Sequence, residues 1–489
     1  MTTRAPAVAG QPVPAAPTRV AANALEIAFW LVPVVVAVIT FRHPIGFVDL
    51  AWQIALGQEA LRHGPLLHEP FVLGHLGEAL VPNAWLAQIV YARLYAWGGV
   101  ALLRAVDAAF WLSGPLFAAA AARGNGAGPA ALLYALAAGY TLAEPSGLLR
   151  PQSFAACGFG LTLLLMHRLH AAPSWRLALG CGLPLFVVWQ NLHPSVGLAA
   201  LCGVAVAAGQ WGGFVADRGR HGIDRPIAFS VLALAAMGAV LATPAGLTII
   251  PFARVNTFAS LASGASEWLP LWDPYHRMSL YAVLATTGLA VLVAVRARRT
   301  IGMVDILPWL IALAMTLIAV RFILFYAIAI VPLLARLDIR GASAPLRRRG
   351  MAMRHGLVVA VVVALSLAMP CAEQFRDVSA ALIGKAAPGN VFSDPLLGGA
   401  ITLDGGGRWP VAYDSRFYLY RPFEIELLRR TANDPGSLPD IERLYHPTAF
   451  ALRKARSPAL IGLLQSRPGE WRCIFSNDNA IVFVRRRVA

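Results

Sequence analysis

Charged residues are scarce in this sequence. They make up 13% of its 489 residues, about half of the roughly 25% found in soluble globular domains. Hydrophobic residues make up 58% of the chain, and its mean hydropathy is +0.62. This composition excludes an ordinary soluble enzyme and predicts an integral membrane protein.

Lysine is nearly absent, since Lys385 and Lys454 are the only two, so arginine carries almost all of the positive charge. The formal net charge of +16 falls in short gaps between apolar runs rather than on one basic face. That distribution is typical of membrane topology and does not indicate a nucleic acid as partner. The partners that it predicts are membrane lipids.

Cysteine and the common catalytic motifs are also lacking. The five cysteines have no CxxC or Cys/His spacing, which argues against a disulfide framework or structural zinc. A bridge between Cys371 and Cys473 outside the membrane stays open as an alternative. The chain has no HExxH, GxSxG or P-loop motif, and its Gly-rich runs GNGAG and DGGG do not follow a strand-to-helix pattern. The sequence therefore shows no binding site for a cytosolic nucleotide as donor substrate, and a membrane-borne donor substrate fits this layout better.

Apolar runs organise most of the chain. Residues 1–22 are rich in Ala and Pro and predict a disordered cytoplasmic tail. Eleven apolar segments of about 15 to 21 residues follow, beginning near Leu25, Val100, Gly128, Phe154, Leu177, Val196, Ile227, Ser279, Ile301, Phe322 and Gly356. The first segment also fits a cleaved signal peptide, although no small-residue cleavage site precedes FRHPIGFVD. The prediction is a mainly α polytopic membrane domain over residues 23–372, with a first outer loop at 42–99.

Arginines mark one side of these segments. If the N-terminus is cytoplasmic, every second gap is basic, as the positive-inside rule requires; these gaps hold Arg123, Arg168, Arg176, Arg218, Arg220, Arg225, Arg296, Arg298, Arg299, Arg336 and Arg340. The odd number of crossings places residues 373–489 outside. Their turn signals, β-like runs (AITL, PVAY and CIFSNDNAIVFV) and helix-like SPALIGLLQS predict a small extracytoplasmic α/β domain. The protein is thus expected in a bacterial inner membrane.

The stretch directly after the first segment differs from a membrane span. Asp49 stands at its start, and apolar Leu50, Ile54, Leu56 and Leu61 alternate with Gln53, Gln58, Glu59 and Arg62. Such an amphipathic run is suited to lie along a membrane face. In the second span, Arg104 and Asp107 are three residues apart on one helical face, which predicts a local ion pair.

Unusual polar residues collect at the outer ends of the predicted spans. Ionisable groups at such depths are costly unless they are paired or line a wet cavity, so their gathering at one face predicts a site there. The residues are Asp49, Asn83, Trp85, Glu144, Arg150, Gln152, Asn191, His193, Glu267, Trp268 and Arg321. Each also has a plain structural interpretation: the arginines as snorkelling side chains, the tryptophans as an interfacial belt, and His193 as a capping residue.

At these residues the chain resembles bacterial polytopic membrane proteins related to the GT-C glycosyltransferases. The resemblance lies in DLAWQIALGQEALRHGPLLHEPFVL, VPNAWLAQIVYARLYAWGG, LLRPQSF, VVWQNLHPSVG, TPAGL with SEWLPL, and RFILFYAIAIVPLLAR. It continues in VFSDPLLGGAITL, PVAYDSRFYLY and WRCIFSNDNAIVFVRR and so spans nearly the whole chain. It implies a GT-C-like membrane fold with a closing extracytoplasmic domain.

The resemblance also implies an activity. The expected reaction moves a sugar from a polyprenyl-phosphate carrier to an extracytoplasmic acceptor, which is a glycan, lipid or protein. Asp49 would act as the catalytic acid or base, while Arg150 and Arg321 would hold the carrier phosphate. Gln152, Asn191, His193 and Glu267 would line the sugar or acceptor pocket.

One departure from the family pattern concerns a metal. Many relatives carry two adjacent acids where this chain has Asp49 followed by Leu50. Glu69 and Glu144 are the candidate partners for Asp49, and a divalent metal ion stays open as a cofactor. Two other functions also stay open: a non-catalytic envelope-assembly or binding protein, and a lipid transporter.

Overall fold

The computed structural model describes residues 19–42, 47–124, 126–144, 149–218, 222–298, 300–337, 351–370, 373 and 375–486. Most of the predicted cytoplasmic tail (1–18), Cys371 with its candidate bridge, and Arg220, Arg299 and Arg340 lie outside these residues. The first helix begins at Arg19, four residues before the predicted domain boundary.

Between Arg19 and Ala368 the described residues are mainly helical, apart from connecting segments such as 64–84. Its helices are α1 (Arg19–Phe41), α2 (Phe47–His63), α3 (Trp85–Gly124), α4 (Pro129–Ala143), α5 (Gln152–Ala171), α6 (Trp175–Leu192), α7 (Val196–Ala216), α8 (Asp224–Leu241), α9 (Ile249–Ala262), α10 (Arg277–Arg296), α11 (Met303–Ile318), α12 (Ile323–Ala329), α13 (Val331–Leu334) and α14 (Met351–Ala368). The eleven predicted apolar segments lie in helical structure, although the one that begins near Phe322 is divided between α12 and α13.

Several of these helices are suited to cross a membrane. Among the described residues, five are long and apolar enough: Trp85–Gly124, Gln152–Ala171, Val196–Ala216, Asp224–Leu241 and Pro274–Arg296. Shorter apolar helices cover Ile27–Phe41, Pro129–Ala143, Met303–Ile318, Val320–Leu334 and Met353–Ala368. The count of eleven crossings stays a prediction, because a 15-residue helix is only about 22 Å long and a bilayer core is about 30 Å thick.

The C-terminal domain, residues 375–486, combines a small sheet with five helices, α15 (Arg376–Lys385), α16 (Pro395–Gly405), α17 (Pro422–Arg430), α18 (Ser437–Tyr445) and α19 (Pro458–Gln465). The strands are β1 (Val391–Ser393), β2 (Ala449–Arg453), β3 (Trp471–Ser476) and β4 (Ala480–Arg485), in the order β1-β2-β4-β3. β1 runs parallel to β2, and the other neighbours are antiparallel. The predicted α/β character of this region is confirmed.

Helix α2 lies between protein layers rather than along an open face. On one side it approaches α3 so closely that a Cβ at Gly57 would lie 1.9 Å from the carbonyl oxygen of Gln88. On the other side α16 packs against it, with Gly399 next to the backbone of Val48 and Trp52. Leu50, Ile54 and Leu56 are buried, and so is the polar Gln53. Apolar residues of α2 thus pack against α3 and α16, and the place of this helix along a membrane face stays a prediction.

The 64–84 loop, which joins α2 to α3, belongs to the core of the C-terminal domain. Leu73 donates its backbone N–H to Val411 O (2.8 Å), and Val411 donates to Phe71 O (3.1 Å). Val72 and Leu73 are buried among the apolar residues of that domain. The loop therefore adds a short extended segment beside the sheet, and it ties the N-terminal part of the chain to its C-terminal end.

A histidine strengthens the contact between the 64–84 loop and the C-terminal domain, here called the joint. The buried His75 of the loop contacts Glu78 through Nδ1 (2.8 Å) and Glu424 of α17 through Nε2 (3.1 Å). Burial lowers the pKa of His75, but the hydrogen bonds to Glu424 and Glu78 outweigh it, so this pKa is raised above its usual value. The hydrogen bond from His75 lowers the pKa of Glu78, and the same contact offsets burial at Glu424, whose pKa is also lowered.

We expect the joint to be most stable in mildly acidic solution. The contribution of His75 is fully present below about 6.5 and is lost as the pH rises through its raised folded-state pKa; the contributions of Glu78 and Glu424 are present above about 4.5 and are lost as the pH falls through their lowered values. The measurement is thermal unfolding of purified protein from pH 4 to 9. The difference between the wild type and His75→Gln should be largest in mildly acidic solution and should shrink as the pH rises toward 9. A constant gap up to pH 9 would contradict a charged histidine.

Candidate active site

A cavity of about 1070 Å³ opens where the ends of several helices meet the C-terminal domain. One part of its wall is polar and holds Asp49, Asn83, Arg150, Gln152, His193, Glu267, Arg321 and Ser415. Another part is apolar and holds Leu198, Leu201, Val240, Ile249, Ile250, Phe252 and Met315. The cavity thus joins a charged region to a hydrophobic one.

Each charged side chain stands at the end of a helical element. Asp49 lies in the first turn of α2, where the helix dipole favours a negative charge. Arg150 lies two residues before α5 begins. Glu267 lies in a 3-10 turn, Ser266–Trp268, between α9 and α10, and Arg321 lies in another, Val320–Phe322, before α12. Convergence of these ends brings residues 272 positions apart in sequence into one site.

The four side chains form an alternating chain of charge, here called the charge network. One guanidinium nitrogen of Arg150 lies 2.9 Å from Asp49 Oδ2, and another lies 2.6 Å from Glu267 Oε2. Arg321 lies 3.6 Å from Glu267 Oε1, and its guanidinium stacks 3.8 Å above the ring of Trp268. Two carboxylates and two guanidiniums give the charge network a formal charge of zero.

Attraction within the charge network shifts the pKa values of Arg150 and Glu267. The Asp49 carboxylate raises the pKa of Arg150 above its usual value, against the opposing effect of burial. Burial alone would raise the pKa of Glu267, but the guanidiniums of Arg150 and Arg321 lower it below its ordinary value. All four side chains keep between 18% and 36% of their surface exposed, so a ligand in the cavity can reach them.

Both oxygens of Asp49 have partners. The guanidinium of Arg150 forms an ion pair with Oδ2, and the hydroxyl of Ser415 donates to Oδ1 at 2.6 Å. Nearby, His193 Nδ1 lies 2.8 Å from Ser195 Oγ, which also accepts a hydrogen bond from Trp189 at 3.0 Å. Gln152 and His193 both line the cavity, as their positions at the outer ends of α5 and α6 led us to expect.

Three of the predicted site residues lie elsewhere. Glu69 is buried in an ion pair with Arg416, at 2.6 Å. Asn191 accepts from Trp85 at 2.6 Å and donates to the carbonyls of Val187 and Ala242, so it fastens the ends of α6 and α8 together. Glu144 lies at the C-terminal end of α4 and is not among the cavity-lining residues.

Other cavity residues escaped the sequence reasoning. Ser415, Arg416, Phe417 and Tyr418 all come from the C-terminal domain and face a cavity whose other lining residues, apart from Leu396, lie between positions 48 and 325. The segment PVAYDSRFYLY was singled out only by its resemblance, and nothing in its local pattern indicates contact with Asp49. Gln53 was named only as a polar residue of α2, yet it lines the cavity, and its buried Oε1 has no hydrogen-bond partner in the described part of the chain.

A divalent metal ion does not fit this arrangement. The two carboxylates of the cavity, Asp49 and Glu267, are held apart by the guanidinium of Arg150, which occupies the position where a shared cation would have to sit. Among the described residues, no group of three or more His, Cys, Asp or Glu side chains is placed to hold a metal ion. The chemistry that the cavity supports is instead anion binding by two guanidiniums and proton acceptance by a carboxylate.

These residues lie within a cavity that has both a charged and an apolar wall, which suits an amphiphilic ligand with an anionic head. Paired guanidiniums are well placed for a phosphate, because they offer planar, bidentate donors. Neither the protein-family models nor the curated proteins searched match this chain.

Proposed function

We propose that this protein is an inverting membrane glycosyltransferase that moves a sugar from a polyprenyl-phosphate carrier to an extracytoplasmic acceptor. The observation that carries the proposal is the cavity, in which two guanidiniums, those of Arg150 and Arg321, share a wall with apolar residues. Leu201 of α7 and Ile250 of α9 line that wall, and their side chains are 52% and 54% exposed. We infer from this exposure that an apolar chain leaves the cavity sideways between these helices.

Binding of the carrier would rearrange the charge network. Its phosphate is expected to engage Arg150 and Arg321, which are the two guanidiniums that face the cavity and pair with Glu267. A phosphate on Arg150 competes with Asp49 for the same nitrogens, so Oδ2 of Asp49 is released as the carrier binds. The base would become available only when a donor is in place.

The transfer itself requires one proton acceptor and one stabilised leaving group. Asp49 takes the proton from the acceptor hydroxyl while the hydroxyl oxygen forms a bond to the anomeric carbon. The bond between that carbon and the phosphate oxygen breaks, and its electron pair stays on the phosphate, where Arg150 and Arg321 stabilise the charge. Gln152 and His193 line the space that the sugar or acceptor would occupy.

The proposed orientation places the N-terminus in the cytoplasm and the cavity outside. Arg123 ends α3, Arg168 lies in the last turn of α5 and Arg296 ends α10, whereas the charge network lies at the other ends of the apolar helices. By the positive-inside rule the arginine-rich ends face the cytoplasm. The C-terminal domain is then extracytoplasmic, on the outer side of a bacterial inner membrane.

One feature favours a second candidate, a non-catalytic protein that binds an envelope component. Both oxygens of Asp49 are occupied and the charge network is neutral, as expected of a site that holds its walls together. Such a protein would bind without transfer. A lipid transporter is less well supported, since the polar residues lie at one end of the helices rather than at their middle.

Retention of a carrier lipid tests the sideways opening. We expect Ile250→Trp, which places a larger ring at the opening, to reduce binding of a polyprenyl monophosphate about tenfold or more. Binding is measured by native mass spectrometry of protein in phosphatidylglycerol nanodiscs. Phe258→Trp on the same helix is the matched control, because Phe258 is 68% exposed and is not a cavity-lining residue. Equal retention in both variants would contradict entry between α7 and α9.

A further inference from the structure

One short segment of the C-terminal domain reaches the charge network. Residues 415–418 form part of the cavity wall, together with Leu396 of α16. The remaining wall comes from residues 48–325. The cavity therefore has its present shape only when the C-terminal domain is docked.

Hydrogen bonds give the Ser415 hydroxyl a defined direction. Trp52 of α2 donates its ring N–H to Ser415 Oγ at 2.9 Å. The proton of Ser415 then has two acceptors within reach, Asp49 Oδ1 at 2.6 Å and Val48 O at 3.3 Å. The carboxylate is both nearer and charged, so it takes the proton, and charge-assisted hydrogen bonds are the stronger kind.

Buried ion pairs fix the backbone around this serine. The next residue, Arg416, is fully buried and donates to both carboxylate oxygens of Glu69, at 2.6 and 3.0 Å. It also pairs with Asp414 at 2.7 Å. Asp414 in turn donates its backbone N–H to Tyr420 Oη at 2.6 Å. Ser415 thus stands between two anchored neighbours.

We propose that Ser415 is a positioning residue for Asp49, supplied by the C-terminal domain. This inference rests on the proposed transferase function. The serine donates to Oδ1 of Asp49. The other oxygen, Oδ2, which contacts Arg150, is then the one that accepts the proton from the acceptor hydroxyl. Docking of the C-terminal domain is then a condition for transfer, because undocking removes the hydroxyl that orients the base.

Kinetics of Ser415→Ala test the proposal. Loss of one hydrogen bond to a charged group is expected to lower kcat roughly 10- to 100-fold, with KM for the carrier changed less than threefold. Ser415→Thr keeps the hydroxyl and should restore most of the rate. Ser466→Ala in the same domain is the matched control, since its exposed hydroxyl donates to Leu463 O far from the cavity. Unchanged kcat in Ser415→Ala would overturn the proposal.

Trp52→Phe tests the direction of the hydroxyl. Phenylalanine keeps an aromatic ring but removes the N–H that donates to Ser415, so the serine proton is less firmly directed to Asp49. We expect a smaller fall in kcat than for Ser415→Ala and no further fall when the two changes are combined. Independent, multiplying effects would show that Trp52 does not act through Ser415.

A chemical probe separates this proposal from the transferase function. Dicyclohexylcarbodiimide modifies accessible carboxyl groups, and modification of Asp49 is measured by peptide mass spectrometry. Ser415→Ala should increase labelling of Asp49 at least threefold, while Ser466→Ala leaves it unchanged; equal labelling would overturn the positioning role. If the wild type transfers no sugar, the proposed function fails but the labelling result still decides the contact. If Asp49→Asn is inactive and Ser415→Ala fully active, only the positioning role fails.

Discussion

Asp49→Asn should abolish transfer of sugar from a lipid-linked donor. Asparagine keeps the size of the side chain and an oxygen that accepts from Ser415, but it cannot accept a proton from the acceptor hydroxyl. General-base catalysis contributes about 10²- to 10⁴-fold, so the residual rate should fall at least a hundredfold. The measurement is transfer of a radiolabelled sugar in membranes supplied with polyprenyl-phosphate-linked donor, with the amount of inserted protein determined in the same samples.

A second acid of α2 provides the control for this experiment. Glu59 pairs with Arg62 at 2.9 Å and is not among the cavity-lining residues. Glu59→Gln therefore removes one negative charge from the same helix without touching the charge network, and its rate should stay within twofold of the wild type. An active Asp49→Asn variant would remove the aspartate from the mechanism, and the non-catalytic function would then be the better interpretation of the cavity.

Arg416→Leu is expected to have the largest effect on stability. The substitution leaves Glu69 and Asp414 buried with two uncompensated negative charges, since both pair with Arg416 in the folded protein. Removing one partner of a buried pair typically costs about 3 to 5 kcal/mol. The free energy of unfolding of a typical domain is about 5 to 15 kcal/mol, so this cost is a large fraction of it. The C-terminal domain should therefore unfold or leave the 64–84 loop.

An exposed arginine five residues later shows what an ordinary ion pair is worth. Arg421 pairs with Glu78, and their side chains are 49% and 46% exposed. Arg421→Gln should change the free energy of unfolding by at most about 1 kcal/mol. Thermal unfolding in detergent and limited proteolysis of the C-terminal domain compare the two variants. Similar unfolding temperatures for both would show that the Arg416 cluster does not support the joint.

Local signals in the sequence explain which elements of the C-terminal domain were predicted. SPALIGLLQS was expected to be helical, and α19 confirms it, beginning at Pro458 directly after Ser457. The run CIFSNDNAIVFV forms most of β3 and β4 with their turn, as expected. AITL was wrong as a strand, because it lies inside α16, where Asp394 caps the first turn and Pro395 occupies its first position. Those helix-start signals outweigh the β-branched residues that suggested a strand.

Pairing inside the helical region was harder to predict from spacing. Arg104 and Asp107 were expected to pair with each other, but they take different partners. Arg104 donates to the carbonyls of Ser366, Met369 and Pro370 at the end of α14, where a cation is favoured by the helix dipole. Asp107 accepts from Tyr91 at 3.2 Å. Arg104 thus takes its partners on another helix, whereas Asp107 takes one from α3 itself, on the other side of the kink at Gly98 and Gly99.

The candidate site was predictable in part. Polar residues at the ends of apolar helices gave Asp49, Arg150, Gln152, His193, Glu267 and Arg321, and all six line one cavity. Position at the end of an apolar helix gave the same weight to Glu144 and Asn191, which also stand at helix ends but do not line the cavity. It had no means of finding Ser415, since the docking of the C-terminal domain depends on contacts between residues more than 300 positions apart.

The partnership of Glu69 with Arg416 also sets an order of events during synthesis. The two residues are separated by 347 positions, which a ribosome covers in roughly 20 to 70 s at about 5 to 20 residues per second. During that interval the 64–84 loop is not yet covered by the C-terminal domain, and Glu69 has no Arg416 to pair with. The proposed site is thus complete only late in synthesis, and a translation product that stops before Arg416 would lack the contact of that arginine with Glu69.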